Sequence, residues 1–396
     1  MIILVVNCGS SSLKYQLLDM NQGKALLSGL AERIGLEGSR IKHKKTAGGE
    51  LVLDDALPNH RVALEKLISC ITDATYGAVS SISEINAVGH RVVHGGEKFN
   101  KAVLIDDEVL QTLEEVSDLA PLHNPPNIVG IKTCQELMPK APQVAIFDTA
   151  FHQTMPDYAY QYALPYEYYE KYGIRKYGFH GTSHKYVSGR AAAVLGKSIN
   201  ELKIVVCHLG NGSSITAVKN GESVDTTMGF TPLAGLPMGT RTGDIDPAIV
   251  TYIMDKENKS TGEVNNLMNK QSGVLGVSGV SSDFRDLENA ASKGNQRAAL
   301  ARNMFVYNVK KWIGAFSAAM GGLDAVVFTG GIGENDIEIR EKVLADMAYL
   351  GLELDPEKNN VRGKEQIITK AGNAVAMVIP TNEELMIATE TEELVK

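Results

Sequence analysis

Cysteine is scarce in this chain. Only four cysteines occur in 396 residues, at Cys8, Cys70, Cys134 and Cys207, and no two of them form a C-x-x-C pair. This scatter argues against a disulfide framework and against a structural zinc site, and it fits a reducing compartment. Long apolar runs are also missing, since none approaches the roughly 20 residues of a membrane-spanning helix. The apolar start of the chain lacks a basic region and stops at Asn7, so we expect no signal peptide and a soluble, cytoplasmic protein.

Positive charge is in deficit. The chain has 47 acidic and 39 basic residues, a formal net charge of -8 and a pI near 5.7. This balance argues against a nucleic-acid binder or a protein of anionic membranes, whose binding surfaces are basic. The 44% of hydrophobic and 22% of charged residues are ordinary for a globular protein. At roughly 100–200 residues per domain, the length predicts two domains.

Glycine is abundant, with 38 residues, and part of it lies in a pattern that occurs twice. The apolar strand 2–6 leads into a Gly/Ser turn and an alternating strand over 13–17, and the strand 204–206 leads into the same sequence of features. A second pair, 86–99 and 324–337, consists in each case of a short strand that enters a Gly-Gly loop. Two matches in the same order predict an internal duplication.

Helix signals separate these strands. Asp106 is placed to cap one amphipathic segment, Ser183 precedes a second that Gly196 closes, and 303–320 forms a long third one. The alternation of strands and helices predicts an α/β fold with parallel or mixed sheets. The proline-containing segment 139–151 is a candidate domain junction.

Three glycine-rich loops, Gly9–Ser12, Gly210–Ser214 and Gly330–Asn335, are candidates for phosphate binding through backbone N–H groups. None is a Walker A loop, because Ala191 stands where GKS at 196–198 would need a glycine, and none has the dinucleotide fingerprint. Each loop alone is equally typical of an ordinary turn. Their occurrence in a duplicated framework favours a nucleotide cleft between two domains.

Three charged residues are candidates for chemistry. Arg91 and Arg241 lie in glycine-rich segments, where a guanidinium could bind carboxylate or phosphate in bidentate fashion, although a surface ion pair is the alternative for each. Asp148 ends the apolar strand QVAIFD, at the carboxyl edge where α/β sheets bind ligands, and its alternative role is to cap the next turn.

Histidine and tyrosine patterns are less informative. Two histidine pairs, His90/His94 and His180/His184, have i,i+4 spacing, but neither lies in an H-E-x-x-H motif and the first pair flanks a strand. A zinc site is therefore not favoured. His180 could instead donate a hydrogen bond to an anion. No G-x-S-x-G elbow supports a serine hydrolase. Eight of the tyrosines lie in 158–177, where packing or a subunit contact is a better interpretation than a groove for single-stranded nucleic acid.

Longer motifs identify a family. LVVNCGSSSLK (4–14) and VAIFDTAFHQTMP (144–156) resemble the two signatures of the acetate and butyrate kinases. Further segments resemble acetate kinases in particular: GHRVVHGG, PLHNPPN, YGFHGTSH, HLGNGSS, PMGTRTGDIDP, SSDFRDL, TGGIGEN and PTNEEL. The resemblance covers the whole chain in order, with no departure at a motif position.

This resemblance implies two duplicated ribonuclease-H-like domains of the acetate and sugar kinase, Hsp70 and actin superfamily, with an active-site cleft between them. It implies an N-terminal domain of residues 1–150, completed by a C-terminal helix over 383–396, and a nucleotide-binding domain over 151–382. The implied reaction is reversible transfer of the γ-phosphoryl group of ATP to acetate, which gives acetyl phosphate and ADP in acetyl-CoA biosynthesis. It implies Mg²⁺ or Mn²⁺ as cofactor and a cytoplasmic homodimer.

The resemblance also implies roles for individual residues. Metal binding falls to Asn7 and Glu384, and phosphate binding to Ser10, Ser12 and Lys14. Acetate binding falls to Arg91, Val93, Leu122, Phe179 and Pro232, and catalysis to Asp148, His180, Arg241 and Arg91. The nucleotide site is implied to consist of His208, Leu209, Gly210, Asn211, Gly212, Asp283, Phe284, Arg285, Gly331, Ile332, Gly333, Glu334 and Asn335.

Three points remain open from the residues. Acetate is already ionised at neutral pH, since its pKa is near the ~4.3 of a glutamate side chain, so Asp148 is expected to position Arg91 or a metal-bound water rather than accept a proton. Propionate kinase is the nearest alternative activity, and the bulk of Val93 favours acetate. A chaperone- or actin-like ATP-driven module is a more distant alternative, which would need a further peptide-binding domain or a polymer surface.

Overall fold

The computed structural model describes all 396 residues and divides them into two compact units. The first unit comprises Met1–Phe151 with Asn382–Lys396, and the second comprises His152–Thr381. None of the helices combines the length and the apolarity that crossing a bilayer requires.

The secondary-structure elements alternate along the chain. The strands are β1 Ile2–Cys8, β2 Ser12–Asp19, β3 Lys24–Glu32, β4 Arg40–Lys45, β5 Glu50–Leu53, β6 Ala87–Val92, β7 Val103–Leu104, β8 Gln143–Phe147, β9 Lys203–Leu209, β10 Ser213–Lys219, β11 Glu222–Thr226, β12 Ala325–Thr329, β13 Gln366–Ile367 and β14 Val375–Val378. The helices are α1 His60–Ile71, α2 Asp107–Glu115, α3 Asn124–Leu137, α4 Asp157–Tyr160, α5 Glu167–Tyr172, α6 Gly181–Leu195, α7 Ala248–Glu257, α8 Thr261–Lys270, α9 Gly273–Ser278, α10 Phe284–Ser292, α11 Gln296–Met320, α12 Gly330–Asn335, α13 Ile337–Leu344, α14 Pro356–Asn359 and α15 Glu383–Val395.

The sheet of the first unit has eight strands in the order β5-β4-β3-β2-β1-β6-β8-β7. Alternate residues of β1 point to opposite faces, so Leu4 and Val6 enter a core with α1, whereas Ile3 and Val5 enter a core with Ile387 of α15. Because both faces are covered, β1 is apolar almost throughout.

The sheet of the second unit has six strands in the order β11-β10-β9-β12-β14-β13. Its core packs β9, β10, β12 and β14 against α10, α11 and α13. Five strands repeat the arrangement of the first unit, since β3-β2-β1-β6-β8 and β11-β10-β9-β12-β14 each contain two antiparallel pairs followed by two parallel pairs. The predicted duplicated, ribonuclease-H-like α/β fold is confirmed.

The structure refines several boundaries. Asp106 caps α2 through the N–H of Val109, and Gly196 ends α6 in the left-handed region, both as predicted. Ser183 is not the start of α6: His180, at φ 56°, precedes the first helical residue. The helix expected over 303–320 begins earlier, at Gln296, because Asn295 accepts a hydrogen bond from Ala298 N–H. The loop expected at Gly330–Asn335 is the short helix α12.

Candidate active-site residues in each unit

In the first unit, three candidate residues lie at the carboxyl ends of adjacent parallel strands. Asn7 is the next-to-last residue of β1, Arg91 is the next-to-last residue of β6, and Asp148 follows β8. The registers of these strands bring the three positions to one edge of the sheet. The N–H of Asp148 bonds to Val92 O at 3.0 Å and continues the ladder beyond β8, which fixes the start of the next loop.

Arg91 and Asp148 form a two-point ion pair. Arg91 Nε donates to Asp148 Oδ1 at 3.1 Å, and Arg91 Nη2 donates to Asp148 Oδ2. The side chains are 19% and 2% exposed, so the pair is shielded from water. Burial alone would lower the pKa of Arg91, but the carboxylates of Asp148, Glu383 and Glu384 outweigh it and raise that pKa above its ordinary value. Arg91 is therefore a permanent cation, and its Nη1 makes no hydrogen bond within the protein.

A small pocket beside this pair contains oxygen donors. Asn7, Arg91, Glu383 and Glu384 line it together with Lys14. No cluster of three or more histidine, cysteine or acidic side chains exists that would hold a metal alone. An amide and a carboxylate fit Mg²⁺, which prefers oxygen and usually takes one or two carboxylates while phosphate oxygens and waters complete its shell.

The Gly9–Ser12 loop joins β1 to β2. Gly9 N–H bonds to Ser12 O at 2.8 Å, and His60 Nε2 donates to Gly9 O at 2.7 Å, which holds the turn closed. Ser10 and Lys14 are exposed and Ser12 is half-buried. A β-carbon on Gly9 would lie 3.0 Å from Ser12 Oγ, so the glycine permits a tight turn.

Sequence reasoning overlooked two buried asparagines in the PLHNPPN motif. Asn127 donates to Cys8 O at 2.6 Å and accepts from Val93 N–H at 3.1 Å, and Asn124 bonds to both backbone groups of His94. These side chains tie α3 to the last residue of β1 and to the segment after β6. Val93 is 8% exposed, whereas Leu122 is 70% exposed.

In the second unit, most of the predicted nucleotide-binding residues line a cavity of about 540 Å³. Its lining includes Gly210, Asn211, Asp283, Phe284, Arg285, Gly331, Ile332 and Asn335. The other predicted residues, His208, Leu209, Gly212, Gly333 and Glu334, do not line it. Leu209 belongs to the core, and Glu334 accepts hydrogen bonds from the N–H groups of Gly330 and Thr381.

Two buried arginines that the sequence analysis did not single out brace this cavity. Arg340 donates to Gly333 O, to both oxygens of Asn359 and to Val361 O, at 2.7–2.9 Å. Arg302 donates to Phe284 O at 3.1 Å and pairs with Asp336. Burial lowers the pKa of Arg340 to about 10, since its hydrogen-bond acceptors are neutral and the nearby Asp336 carboxylate offsets burial only in part. The available sequence signal for these buried arginines was a helical apolar stripe in which one position is an arginine.

At the cavity rim, Asp283 caps α10 and pairs with Arg285. Side-chain and backbone hydrogen bonds from Arg285 lower the pKa of Asp283 to about 2. The Arg285 side chain is 89% exposed and can turn toward a ligand at little cost.

A second group of residues converges around Gly212. A β-carbon there would lie 3.6 Å from His180 Nε2 and 3.7 Å from Arg241 Nη1. Arg241 bonds to Pro232 O at 3.1 Å and forms no ion pair, and burial lowers its pKa. A half-buried arginine without a carboxylate partner keeps N–H donors that can bind an anion. Asn211 O accepts the N–H of Gly239, and a β-carbon added to Gly239 would overlap Asn211 Oδ1.

The imidazoles of the second unit form a cluster. His180 and His208 stack with centroids 4.3 Å apart, and Ser183 Oγ contacts His208 Nδ1 at 2.8 Å and Thr381 Oγ1 at 2.7 Å. The backbone oxygen of Phe179 lies 2.9 Å from the ring nitrogen of His152, which sets the direction of the chain as it enters His180.

The comparisons with known proteins agree on the family of this chain. The chain matches the profile of the acetokinase family over residues 2–389. Proteins named acetate kinase from Desulforamulus reducens and Methanosarcina mazei are 69% and 60% identical to it, covering 100% and 99% of this chain and 100% and 96% of theirs. The crystal structure of Porphyromonas gingivalis acetate kinase has 50% identity and a TM-score of 0.97, with full coverage of both chains. A propionate kinase from Francisella tularensis has 46% identity and a TM-score of 0.93 over 99% of each chain. With this agreement over its whole length, the chain belongs to the acetokinase family.

Proposed function

We propose that the protein catalyses the reversible transfer of the γ-phosphoryl group of ATP to acetate, giving acetyl phosphate and ADP by direct in-line displacement. The observation that carries the proposal is the 69% identity, over the full length of both chains, to a protein named acetate kinase. The cavity of the second unit supports it, because glycine backbone and the exposed Arg285 suit a nucleotide.

The main obstacle in this reaction is the repulsion between two anions. Acetate attacks as a carboxylate and needs no base, so cationic and N–H donors supply most of the catalysis. We assign Arg91 to the acetate carboxylate and Arg241 with His180 to the phosphoryl oxygens. The pairing of Asp148 with Arg91 supports a positioning role for Asp148, which holds the guanidinium at fixed orientation while Nη1 remains available.

The remaining residues bind and orient the two substrates. Val93, Leu122, Phe179 and Pro232 are proposed to contact the acetate methyl group, and Ser10, Ser12 and Lys14 the phosphates. Nucleotide binding is proposed for His208, Leu209, Gly210, Asn211, Gly212, Asp283, Phe284, Arg285, Gly331, Ile332, Gly333, Glu334 and Asn335. Gly333 and Glu334 act there through backbone conformation, since Glu334 accepts the N–H of Gly330.

Asn7 and Glu384 are proposed to hold Mg²⁺ or Mn²⁺. Their amide and carboxylate oxygens fit such an ion, as described above. When bound, the ion would neutralise phosphate charge. We also propose a cytoplasmic homodimer, and the exposed tyrosines Tyr158, Tyr166 and Tyr172 suit a subunit contact.

The test is acetate-dependent formation of acetyl hydroxamate from ATP and hydroxylamine, with and without Mg²⁺. Product that requires both ATP and acetate supports the proposal, and its absence in folded protein contradicts it. Propionate is the second arm, because a propionate kinase is among the similar structures. A higher kcat/KM for propionate than for acetate would favour that activity instead.

A further inference from the structure

Ser214 lies between two imidazole rings. Its Oγ is 2.9 Å from Nδ1 of His180 and 2.7 Å from Nε2 of His184, and the serine is fully buried on β10. A hydroxyl has one proton, so it donates to one of these rings and accepts from the other. The direction in which these two hydrogen bonds run decides which ring nitrogen of His180 carries the proton.

The surroundings of His184 Nδ1, the ring nitrogen that faces away from Ser214, determine which group donates in each of these hydrogen bonds. His184 is fully buried and its Nδ1 has no hydrogen-bond partner. Burial lowers the pKa of His184 well below its ordinary value, so the ring is neutral and carries a single N–H. A buried N–H without an acceptor is less tolerable than a bare acceptor, because orphaned donors are the rarer case in native structures. The proton of His184 therefore lies on Nε2, the nitrogen that faces Ser214.

We infer that His184 and Ser214 act as positioning residues that hold His180 in one neutral tautomer: His184 Nε2–H donates to Ser214, Ser214 donates to His180 Nδ1, and the proton of His180 lies on Nε2. This arrangement directs an N–H donor to the side of the ring that borders Gly212. A β-carbon on Gly212 would lie 3.6 Å from that nitrogen, and Arg241 Nη1 borders the same space.

The catalytic meaning of this relay rests on the proposed function. If His180 donates to a phosphoryl oxygen, the relay supplies the donor without requiring the ring to become an imidazolium, and it places that donor before the substrate arrives. Preorganised donors are effective because they need no reorientation as charge develops. The tautomer itself is a property of the resting protein and is measurable without substrate.

The first experiment is ¹⁵N NMR of histidine-labelled protein near neutral pH, with signals assigned by His180→Asn and His184→Met variants. We expect a protonated Nε2 and a bare Nδ1 on both rings. A proton on Nδ1 of either ring, or a doubly protonated His180, would overturn the relay. Because no activity is measured, a failure of the proposed function leaves this result interpretable.

The second experiment compares Ser214→Ala with Ser188→Ala. Ser188 is an equally buried serine on α6, and its hydroxyl bonds to Lys185 O rather than to a ring. In Ser214→Ala we expect a mixture of His180 tautomers and a loss in kcat of about ten-fold at unchanged KM for ATP, below the roughly 10²–10³-fold cost of deleting such a donor. The control should retain a single tautomer. Equal losses in the two variants, or an unchanged tautomer in Ser214→Ala, would contradict the assignment.

Discussion

Arg91 places the Nε–Nη2 edge of its guanidinium against both carboxylate oxygens of Asp148. This geometry suits a positioning role for Asp148, because the carboxylate is occupied by the guanidinium and the cation is the group nearer to solvent. A side-on pairing fixes the plane of the guanidinium as well as its position.

The Asp148→Asn substitution tests this role. An amide accepts one of the two hydrogen bonds and carries no charge, so we expect kcat/KM for acetate to fall about 10²-fold while the pH–rate profile stays flat near neutrality. The matched control is Asp225→Asn, which breaks the partly buried ion pair with Lys176 outside the proposed site. An activity pKa that disappears with Asp148→Asn would instead identify a proton acceptor.

Alanine substitutions of Arg91 and Arg241 should differ in their effect on the unfolding free energy. Arg91→Ala removes the guanidinium from an Asp148 carboxylate that is 2% exposed, which costs about 3–5 kcal/mol of unfolding free energy. Arg241→Ala leaves no carboxylate behind, so its cost should stay near 1 kcal/mol. Each should lose about 10³-fold in kcat. Chemical denaturation and steady-state kinetics measure the two effects, and Arg190→Ala, at an exposed ion pair, should affect neither.

Gly239→Ala should act on nucleotide affinity. The added methyl group would overlap Asn211 Oδ1, and a side-chain terminus moves more readily than backbone. Displacing Asn211 from the cavity should raise KM for ATP about five- to ten-fold, the size of one lost hydrogen bond, with little change in Tm. Gly189→Ala, where a β-carbon meets open space on α6, is the control and should be neutral or stabilising. An unchanged KM for ATP would exclude Asn211 from nucleotide binding.

Val93→Ala should shift acid specificity. Val93 is buried, and its N–H contact with Asn127 does not depend on its side chain, so the loop should keep its path. The preference for acetate over propionate should fall about ten-fold, the effect of making room for one methylene group. Val129→Ala, at an exposed position on α3, should leave the ratio of the two kcat/KM values unchanged.

Acid should destabilise the fold through its buried histidines. Burial lowers the pKa of His90, His94 and His152 to about 4 each, and it holds that of His184 well below its ordinary value. The unfolded chain therefore binds more protons, and the unfolding free energy should fall as pH drops from about 6.5 toward 4, by up to roughly 1.4 kcal/mol per pH unit for each ring. Urea titrations over this range measure the slope, and His90→Gln should reduce it by one proton. A flat dependence would show that these rings are protonated in the fold.

Local patterns were sufficient to predict the duplication and seven of the fourteen strands, namely β1, β2, β6, β8, β9, β10 and β12. The alternation over 13–17 and the apolar run 2–6 report directly on the two faces of one sheet, and the caps at Asp106 and Gly196 act within one helical turn. The error at α6 has a long-range cause. Ser183 has the chemistry of a cap, but its hydroxyl bonds to His208 and Thr381, and His180 adopts the left-handed conformation instead.

The residues that support the candidate sites were the least predictable. Asn127 bonds to Cys8, far away in the sequence, and no periodicity reports on such a pair. Arg340 was also missed, since an arginine in a helix ordinarily predicts exposure even when it falls in the apolar stripe. Its burial is explained by the carbonyls of Gly333, Asn359 and Val361 and by the side-chain oxygen of Asn359.

The packing of α15 in the first unit has a consequence for biosynthesis. The whole second unit is translated between β8 and α15, yet Ile387 and Thr391 of α15 lie so close to β6 that a β-carbon on Gly89 would overlap both. Until α15 emerges from the ribosome, Ile3, Val5 and Ile146 have no cover on that face of the sheet. The first unit to be synthesised is therefore the last to be completed, and its unfinished sheet is the surface that nascent-chain chaperones would have to protect.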